Sequence, residues 1–183
     1  MSYIGSWHEA QPAQIAFRSM TSDLTGIVER LDHVAVGVVD LASFLPLVEL
    51  MGGSLSTGGD NIGDGFRWSQ FDLPGGSKLE VIQPLDPEDD AHFLVRFLSE
   101  RGPGVHHLTF KVTDLLEAVD KAEALGFEVV GVSTDGWWKE AFLRPRSAHG
   151  VLVQLAQWDE WQDGRQGDVT IDQVLSGAIR FNE

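Results

Sequence analysis

Short segments of alternating or continuous apolar residues are followed, twice along the chain, by segments with helical spacing. The stretches "RLDHVAVGV" and "VHHLTFKV" have the length and apolar content of buried strands. The helical segments "LASFLPLVELM" and "LLEAVDKAEAL" come next, and three further strand-like pieces follow each of them. The pattern therefore predicts the order β-α-β-β-β, occurring twice.

Both predicted helices carry signals at their ends. Asp40 and Asp114 directly precede the helical segments, where a side-chain oxygen caps the first backbone N–H groups. Gly52 and Gly126 follow them, where a glycine commonly ends a helix. Pro46 lies a few residues inside the first helix and predicts that this helix is bent or starts late.

The two units form an internal repeat with an offset of 74 residues. The segment "DHVAVGVVDL" then lies on "HHLTFKVTDL", and "GSKLEVIQ" lies on "GVLVQLAQ". A dozen matches in one register indicate a duplicated module. Without a gap, the matches include His33 on His107, Glu80 on Gln154 and Trp68 on Phe142.

The repeat defines the domain organisation. Residues 29–84 form module one and residues 104–158 form module two of one domain, 29–158. The linker, 85–103, is predicted to hold a helix from about Ala91 to Ser99. An N-terminal extension (1–28) and a C-terminal extension (159–183) lie outside the repeat, and we expect them to pack on the core or on a partner subunit.

Composition narrows the class of partner. The chain has 183 residues, of which 43% are hydrophobic and 22% charged, as in a water-soluble globular protein. Its formal net charge of −15 repels nucleic acid and anionic membrane surfaces. The N-terminus lacks the features of a signal peptide, no apolar run could cross a bilayer, and there is no cysteine. We therefore expect a cytoplasmic protein that binds a small molecule.

Four polar residues lie among apolar strand neighbours at matched positions of the repeat. The spacing from histidine to the second polar residue is 47 in both modules. Imidazole and carboxylate donors suit a divalent first-row cation, with an amide oxygen as a weaker donor. The alternative is that the acid and the amide face solvent from sheet edges. The four candidates are His33, Glu80, His107 and Gln154.

The neighbouring residue His106 is expected to face away from such a site. Successive side chains of a strand point to opposite faces of the sheet. Only His107 of this pair is in register with His33.

Two tandem βαβββ modules with these residues resemble the vicinal-oxygen-chelate superfamily, which includes glyoxalase I, methylmalonyl-CoA epimerase, extradiol dioxygenases and metal-free antibiotic-binding proteins. The resemblance covers about residues 31–158. It implies an α+β fold with two half-barrels, in which the first and fourth strands of each module supply one metal ligand. These positions are those of the same four residues, and the implied cofactor is Co, Ni, Mn, Zn or Fe.

Ligand types distinguish the members of the superfamily. Extradiol dioxygenases have a carboxylate on the last strand, where this chain has Gln154, and metal-free binding proteins usually lack the histidines. The epimerase order is His, Gln, then His, Glu, and this chain has the same set with the modules exchanged. The segments "LDHVAVGV", "LEVIQPL", "GVHHLTFKVTDL" and "RPRSAHGVLVQL" also resemble the epimerases. A glyoxalase-I-type lyase, a metal-free antibiotic-binding protein and a dioxygenase remain the alternatives.

The resemblance implies proton transfer next to a metal-chelated carbonyl, as in a methylmalonyl-CoA epimerase. Glu80 is the candidate base. The epimerases place a second acid on the third strand of the first module, where Trp68 or a neighbour stands here. With the modules exchanged, Glu140 becomes the candidate second base, and a surface ion pair is the alternative for it.

Aromatic and basic residues near the third strands are candidates for substrate binding. Tryptophans could wall an apolar pocket, or simply belong to the core. The basic residues could receive the phosphate or carboxylate of an acyl-CoA, or balance charge on an exposed loop. Open sheet edges also predict a homodimer. The candidates are Trp68, Trp137, Lys139, Arg144 and Arg146.

Overall fold

The computed structural model describes residues 23–159 and 169–181, and it confirms the order β-α-β-β-β in both modules. Together these elements form one α+β fold in which helices pack on a single sheet. The strands are β1 Val28–Gly37, β2 Ser54–Asn61, β3 Phe66–Asp72, β4 Lys78–Pro84, β5 Gly104–Val112, β6 Val129–Ser133, β7 Lys139–Leu143, β8 Val153–Gln157 and β9 Arg180–Phe181, and the helices are α1 Leu41–Leu50, α2 Phe93–Arg101, α3 Leu115–Ala124 and α4 Ile171–Leu175.

The strands form one open, nine-stranded sheet with a pseudo-twofold arrangement. The order across it is β6-β7-β8-β5-β1-β4-β3-β2-β9. Strands β1 and β5 pair antiparallel at the centre, and each pairs in parallel with the last strand of its own module. Read outward from the centre, the two modules have the same strand order, so the duplication in sequence becomes a symmetry of the sheet.

Each module helix covers its half of the sheet on one face. Helix α3 packs apolar side chains such as Leu115 and Val119 against Leu143 and Leu155 of the second module. Helix α1 does the same in the first module, where Val48 lies in one cluster with residues of β3 and β4. Burial of these apolar side chains stabilises each module by about 25 cal/mol per Å². The candidate metal ligands lie on the opposite face of the sheet.

The helix ends agree with the sequence prediction. The Asp40 carboxylate accepts from two backbone N–H groups of α1, and Asp114 accepts from one in α3. Gly52 and Gly126 have φ values of 72° and 86°, which a residue with a side chain rarely adopts. Helix α1 begins at Leu41 and contains Pro46, so the expected late start is wrong.

Two elements differ from the prediction. The linker helix α2 lies two residues further along than predicted, because the imidazole of His92 caps it at Leu94. The C-terminal extension contains α4 and β9, and β9 pairs in parallel with β2 at the edge of the first module. The N-terminal extension lies outside the described residues up to position 22.

The central pairing of β1 with β5 shifts register at three places, and two of these are β-bulges at repeat-related positions. Asp32 is the extra residue where Leu31 pairs with Phe110 and His33 with Thr109. The second bulge falls at His106, 74 residues further along the chain.

Among the described residues, no helix has the length and apolar character that crossing a membrane requires.

Candidate metal centre

Three of the four predicted ligands converge at the central strand pair. One donor atom from each of His33, Glu80 and His107 lies within 4.8 Å of the other two. The strand pairing explains this arrangement, because Ala35 of β1 pairs with His107 on one side and with Glu80 on the other. His33 lies on the same face, two residues before Ala35. The repeat thus brings together side chains that are 27 to 74 positions apart in sequence.

Glu80 lies between the two imidazoles. Its Oε2 is 3.6 Å from His33 Nε2, and its Oε1 is 3.9 Å from His107 Nε2. The side-chain amide of Gln70 donates to Oε2 at 3.0 Å. In the described part of the chain, no lysine or arginine forms an ion pair with this carboxylate, whose side chain is only 12% exposed. The carboxylate is therefore available to a cation that is not part of the protein.

Gln154, the fourth predicted ligand, borders this cluster through one hydroxyl group. Its Oε1 is 2.5 Å from Thr109 Oγ1, which is 2.8 Å from His33 Nε2. Thr109 has one hydroxyl proton for two neighbouring acceptors if His33 carries its proton on Nδ1. A cation between these lone pairs would remove the mismatch.

Asp32 orients His33 from the side away from the cluster. Its Oδ2 lies 3.0 Å from His33 Nδ1, while Arg30 contacts its Oδ1 at 2.9 Å and Lys78 lies 3.9 Å away. Burial disfavours the charged form of Asp32. The hydrogen bond from His33 and the nearby cations outweigh that effect, so the pKa of Asp32 lies below its ordinary value. An ionised Asp32 holds the proton of His33 on Nδ1 and leaves Nε2 free to bind a metal.

On the side away from the cluster, His107 contacts another imidazole instead of a carboxylate. Its Nδ1 lies 2.8 Å from Nδ1 of His106, and burial lowers the pKa of both imidazoles to about 4. His106 is not one of the three clustered donors, as expected. The prediction that it faces away is wrong, because the β-bulge at His106 breaks the strict alternation of side chains.

Glu140 lies at the edge of the same site. Its Oε2 accepts from the amide of Gln154 at 2.6 Å and from the indole of Trp138 at 2.8 Å. Burial raises the pKa of Glu140, and the negative charges of Asp64 and Glu80 add to that shift. The two hydrogen bonds oppose it only partly. Within the described residues, Glu140 forms no ion pair with a lysine or arginine, so it is not a surface salt bridge.

Strand pairing gives Glu140 a precise counterpart in the first module. Trp68 pairs with Ile82, and Glu140 pairs with Ala156, which is the repeat mate of Ile82. The ungapped match of Trp68 with Phe142 is therefore wrong by two residues on the third strand. The structure places an acid in module two where module one has a tryptophan.

The predicted substrate-binding residues are spread over several environments. The ring of Trp68 packs 5.9 Å from Phe181 of β9. Trp137 is 40% exposed and contacts Trp138, which stacks on the buried Trp158. Trp68 and Glu140 share corresponding positions, so Trp68 faces the same side of the sheet as the cluster.

The basic candidates do not join the cluster. Lys139 alternates with Glu140 on β7 and lines a shallow cavity with Leu115 and Leu116 on the helix-covered face. Arg144 and Arg146 are exposed, and both pair with Glu128. These contacts fit the alternative of charge balance for the two arginines.

Sequence reasoning missed several residues that contact the candidate ligands. Asp32 directly precedes His33, and that adjacency is a local signal for an outer hydrogen-bond partner. Thr109 replaces Ala35 of the repeat, so the departure from the repeat was itself a signal. Gln70 lies two residues from Trp68 and shares its face of β3. The missed contacts are those of Asp32, Gln70, His106, Thr109 and Trp138.

The donor set fits a divalent transition-metal ion. Two neutral imidazoles and one carboxylate carry a single negative charge, and the amide oxygen of Gln154 lies beside them. Partial burial excludes much of the competing water. These donors do not distinguish among Co, Ni, Mn, Zn and Fe.

Comparisons with known proteins agree with this architecture. The family model described as the glyoxalase/bleomycin resistance protein/dioxygenase superfamily matches residues 32–142. An ethylmalonyl-CoA/methylmalonyl-CoA epimerase of Cereibacter sphaeroides is 30% identical over 138 residues, which cover 72% of this chain and 99% of the relative.

Solved structures show the same similarity. The crystal structure of methylmalonyl-CoA epimerase from Mycobacterium tuberculosis is 28% identical, with a TM-score of 0.65 over 73% of this chain and 90% of that chain. A Streptomyces coelicolor methylmalonyl-CoA epimerase in complex with 2-nitronate-propionyl-CoA is 23% identical, has a TM-score of 0.60 and shares the fold over 72% of this chain and 98% of that one. The chain belongs to the glyoxalase/bleomycin resistance protein/dioxygenase superfamily.

Proposed function

We propose that this protein is a divalent-metal-dependent epimerase that moves a proton next to the carbonyl of an acyl-CoA thioester such as methylmalonyl-CoA. The observation that carries the proposal is the convergence of His33, Glu80 and His107 beside a second acid, Glu140. The names of the relatives support the substrate class, since these proteins are methylmalonyl-CoA epimerases.

The proposed ligands are His33, Glu80, His107 and Gln154. A divalent cation held by them would supply Lewis-acid polarisation of the substrate carbonyl, which makes the proton on the neighbouring carbon more acidic. Gln154 needs to exchange its contact with Thr109 for one with the cation. The hydroxyl proton of Thr109 would then be free for another acceptor such as a water molecule, because the lone pair of His33 Nε2 would be held by the cation.

Two carboxyl groups are the proposed proton carriers. Epimerisation removes a proton from one face of a carbon and returns one to the other face, so it needs an acceptor and a donor on opposite sides. Glu80 accepts the proton from the substrate carbon, and the carboxylic acid of Glu140 delivers one from the other side. The raised pKa of Glu140 favours the protonated form that this role requires.

Glyoxalase-type isomerisation is the second candidate. It needs only one principal base, and Glu80 already lies between the two imidazoles in a position to serve. The two reactions differ in their dependence on Glu140, so substitution of this residue separates them.

The experiment measures exchange of the proton at C2 of methylmalonyl-CoA in heavy water, with added Co²⁺, Ni²⁺, Mn²⁺ or Zn²⁺. We expect exchange and inversion in the wild type. Glu80→Gln and Glu140→Gln each lower the rate by about 10²-fold or more, the usual contribution of a general acid or base. Glu100→Gln, at an exposed position of α2, is the matched control and keeps the wild-type rate.

The outcomes discriminate among the candidates. A protein that binds metal and shows no exchange with any of these ions would remove the acyl-CoA assignment. Turnover of a methylglyoxal thiohemiacetal that survives Glu140→Gln would favour the glyoxalase-type reaction. A wild-type protein that binds none of the ions would contradict the proposed metal dependence.

A further inference from the structure

Each candidate histidine ligand contacts the residue directly before it through its outward-facing nitrogen. His33 Nδ1 lies 3.0 Å from Asp32 Oδ2, and His107 Nδ1 lies 2.8 Å from His106 Nδ1. Asp32 and His106 are repeat mates, and both are the extra residue of a β-bulge. In an unbroken strand the side chain before a ligand would point to the other face. The bulges therefore create both contacts by the same backbone device.

The direction of the hydrogen bond is clear in the first module. An ionised carboxylate can only accept, so His33 donates from Nδ1 and its Nε2 keeps a lone pair toward the cluster. The contact in the second module joins two ring nitrogens of the same kind. At a distance of 2.8 Å, one Nδ1 atom must carry a proton and the other must accept it, because two lone pairs or two N–H groups would repel each other.

The linker helix holds the ring of His106 in place. Phe97 contacts it edge-on with ring centroids 4.8 Å apart, and Phe93 lies 5.6 Å away. Gly37 favours close packing of α2 on the sheet, since a Cβ there would lie 3.0 Å from Phe97 and 3.1 Å from Leu94, and both side chains would have to move slightly. His106 is thus confined between α2 and His107.

We propose that His106 is a positioning residue, which accepts a hydrogen bond from Nδ1–H of His107 and so keeps the Nε2 lone pair of His107 directed at the candidate metal centre. The repeat supports this direction of donation, because the matching nitrogen, His33 Nδ1, also donates to the residue before it. Its importance for metal binding rests on the proposed function, whereas the hydrogen bond itself does not.

The pairing also gives the linker helix a role in the site. A ligand histidine without an outer acceptor can rotate or carry its proton on Nε2, and either change weakens metal binding. Helix α2 fixes His106, and His106 fixes His107. Residues 93–101 would therefore support the metal centre without contacting it.

The test is ¹⁵N nuclear magnetic resonance of the histidine side chains in the metal-free protein. We expect a one-bond N–H coupling at Nδ1 of His107 and a scalar coupling across the hydrogen bond to Nδ1 of His106. The same proton should exchange slowly with water. A proton found on Nδ1 of His106, or on Nε2 of His107, would overturn the inference.

Two variants connect the hydrogen bond with metal binding. His106→Phe keeps an aromatic ring against Phe93 and Phe97 but removes the acceptor, and it should weaken Zn²⁺ affinity about 10- to 100-fold. His106→Gln offers an amide oxygen instead and should keep an affinity close to that of the wild type. His149→Gln, at an exposed position, is the control for loss of a histidine.

The measurements separate this inference from the proposed function. A wild-type protein that binds no Zn²⁺ contradicts the proposed metal centre, while the coupling in the metal-free protein still decides the hydrogen bond. Equal Zn²⁺ affinities for His106→Phe and the wild type, with equal melting temperatures, would contradict the positioning role.

Discussion

Glu80 carries the negative charge of the candidate metal centre, and its neighbours in the donor set are neutral groups. Its carboxylate is partly buried between two imidazoles and receives one amide hydrogen bond from Gln70. A buried carboxylate with so few donors is costly unless a cation offsets its charge. A bound metal ion would therefore compensate the charge of Glu80 better than the single hydrogen bond from Gln70 does.

Replacing Glu80 by Gln tests this conclusion. The amide has nearly the same shape but no charge, so affinity for Zn²⁺ or Co²⁺ should fall by at least about 10- to 100-fold. Isothermal titration calorimetry measures this change. The melting temperature of the metal-free variant should not fall, since an uncompensated charge has been removed. Equal affinity for the variant and the wild type would contradict the assignment of Glu80 as a ligand.

At the scale of elements, helix α1 shows how capping and burial can override a helix-breaking residue. Pro46 lacks the N–H group that would bond to the carbonyl of Ala42, yet the helix runs from Leu41 to Leu50. The Asp40 cap and the buried side chains Leu41 and Val48 stabilise the first turn and the packed face. Pro46 lies on the exposed face, where its ring displaces no core residue.

The substitution Pro46→Ala should therefore stabilise the protein. The restored hydrogen bond and the better helix propensity contribute up to about 3 kcal/mol, and the more flexible unfolded chain offsets about 1 kcal/mol of that. Urea denaturation should show a higher midpoint with the same slope. Leu47→Ala, also on the exposed face of α1, is the control and should change the midpoint little. A lower midpoint for Pro46→Ala would show that the proline is required.

The C-terminal strand β9 covers an edge that would otherwise be open. Backbone hydrogen bonds of 2.9 Å join Asp60 N–H to Ile179 and Ile62 N–H to Phe181. The Arg67 guanidinium binds the Asp60 carboxylate and also the carbonyl of Leu175. Part of the C-terminal extension thus belongs to the first module.

Gly59 of β2 lies close to the segment that contains this strand. A Cβ there would lie 2.6 Å from the ring of Phe181 and 2.8 Å from Ile179, so Gly59→Ala should displace β9. Hydrogen exchange of the Asp60 and Ile62 amides should then become faster. Gly104→Ala is the control, since its Cβ would meet nothing within 4 Å. Unchanged protection in Gly59→Ala would contradict the close contact.

At the scale of the whole molecule, the repeat made most of the architecture predictable. The offset of 74 residues put His33 in register with His107, and the family resemblance implied that both lie with Glu80 at one centre, where the structure brings them together. The acid at position 140 was expected from the family pattern with the modules exchanged, whereas the ungapped repeat matched Trp68 with Phe142. Contacts created by departures from symmetry were not predictable in this way.

Three features account for the details that the repeat did not predict. The bulge at His106 turns its ring toward His107, although alternation predicts the opposite. A two-residue difference between the modules shifts the third strand, so that Glu140 rather than Phe142 corresponds to Trp68. Strand β9 has only two residues, too few for a periodic signal in sequence.

Self-association is a prediction for the whole molecule. Strand β6 lies at one end of the sheet, and none of the described strands pairs with its outer edge. Such an edge can be covered by a second copy, which favours a homodimer. Light scattering at micromolar concentration should give about twice the chain mass of 20.1 kDa. A mass equal to that of a single chain would contradict the prediction.

Each module contributes two of the four candidate donors, and the antiparallel pairing of β1 with β5 brings the two halves together. A single module could complete such a set only by pairing with a copy of itself, and that pair would hold two identical acids or two identical amides. The net charge of the donor set in such a symmetric pair could change only in steps of two. Gene duplication removes this restriction, because each half can then mutate alone. In this chain the two halves do differ, with one Glu and one Gln at matched positions.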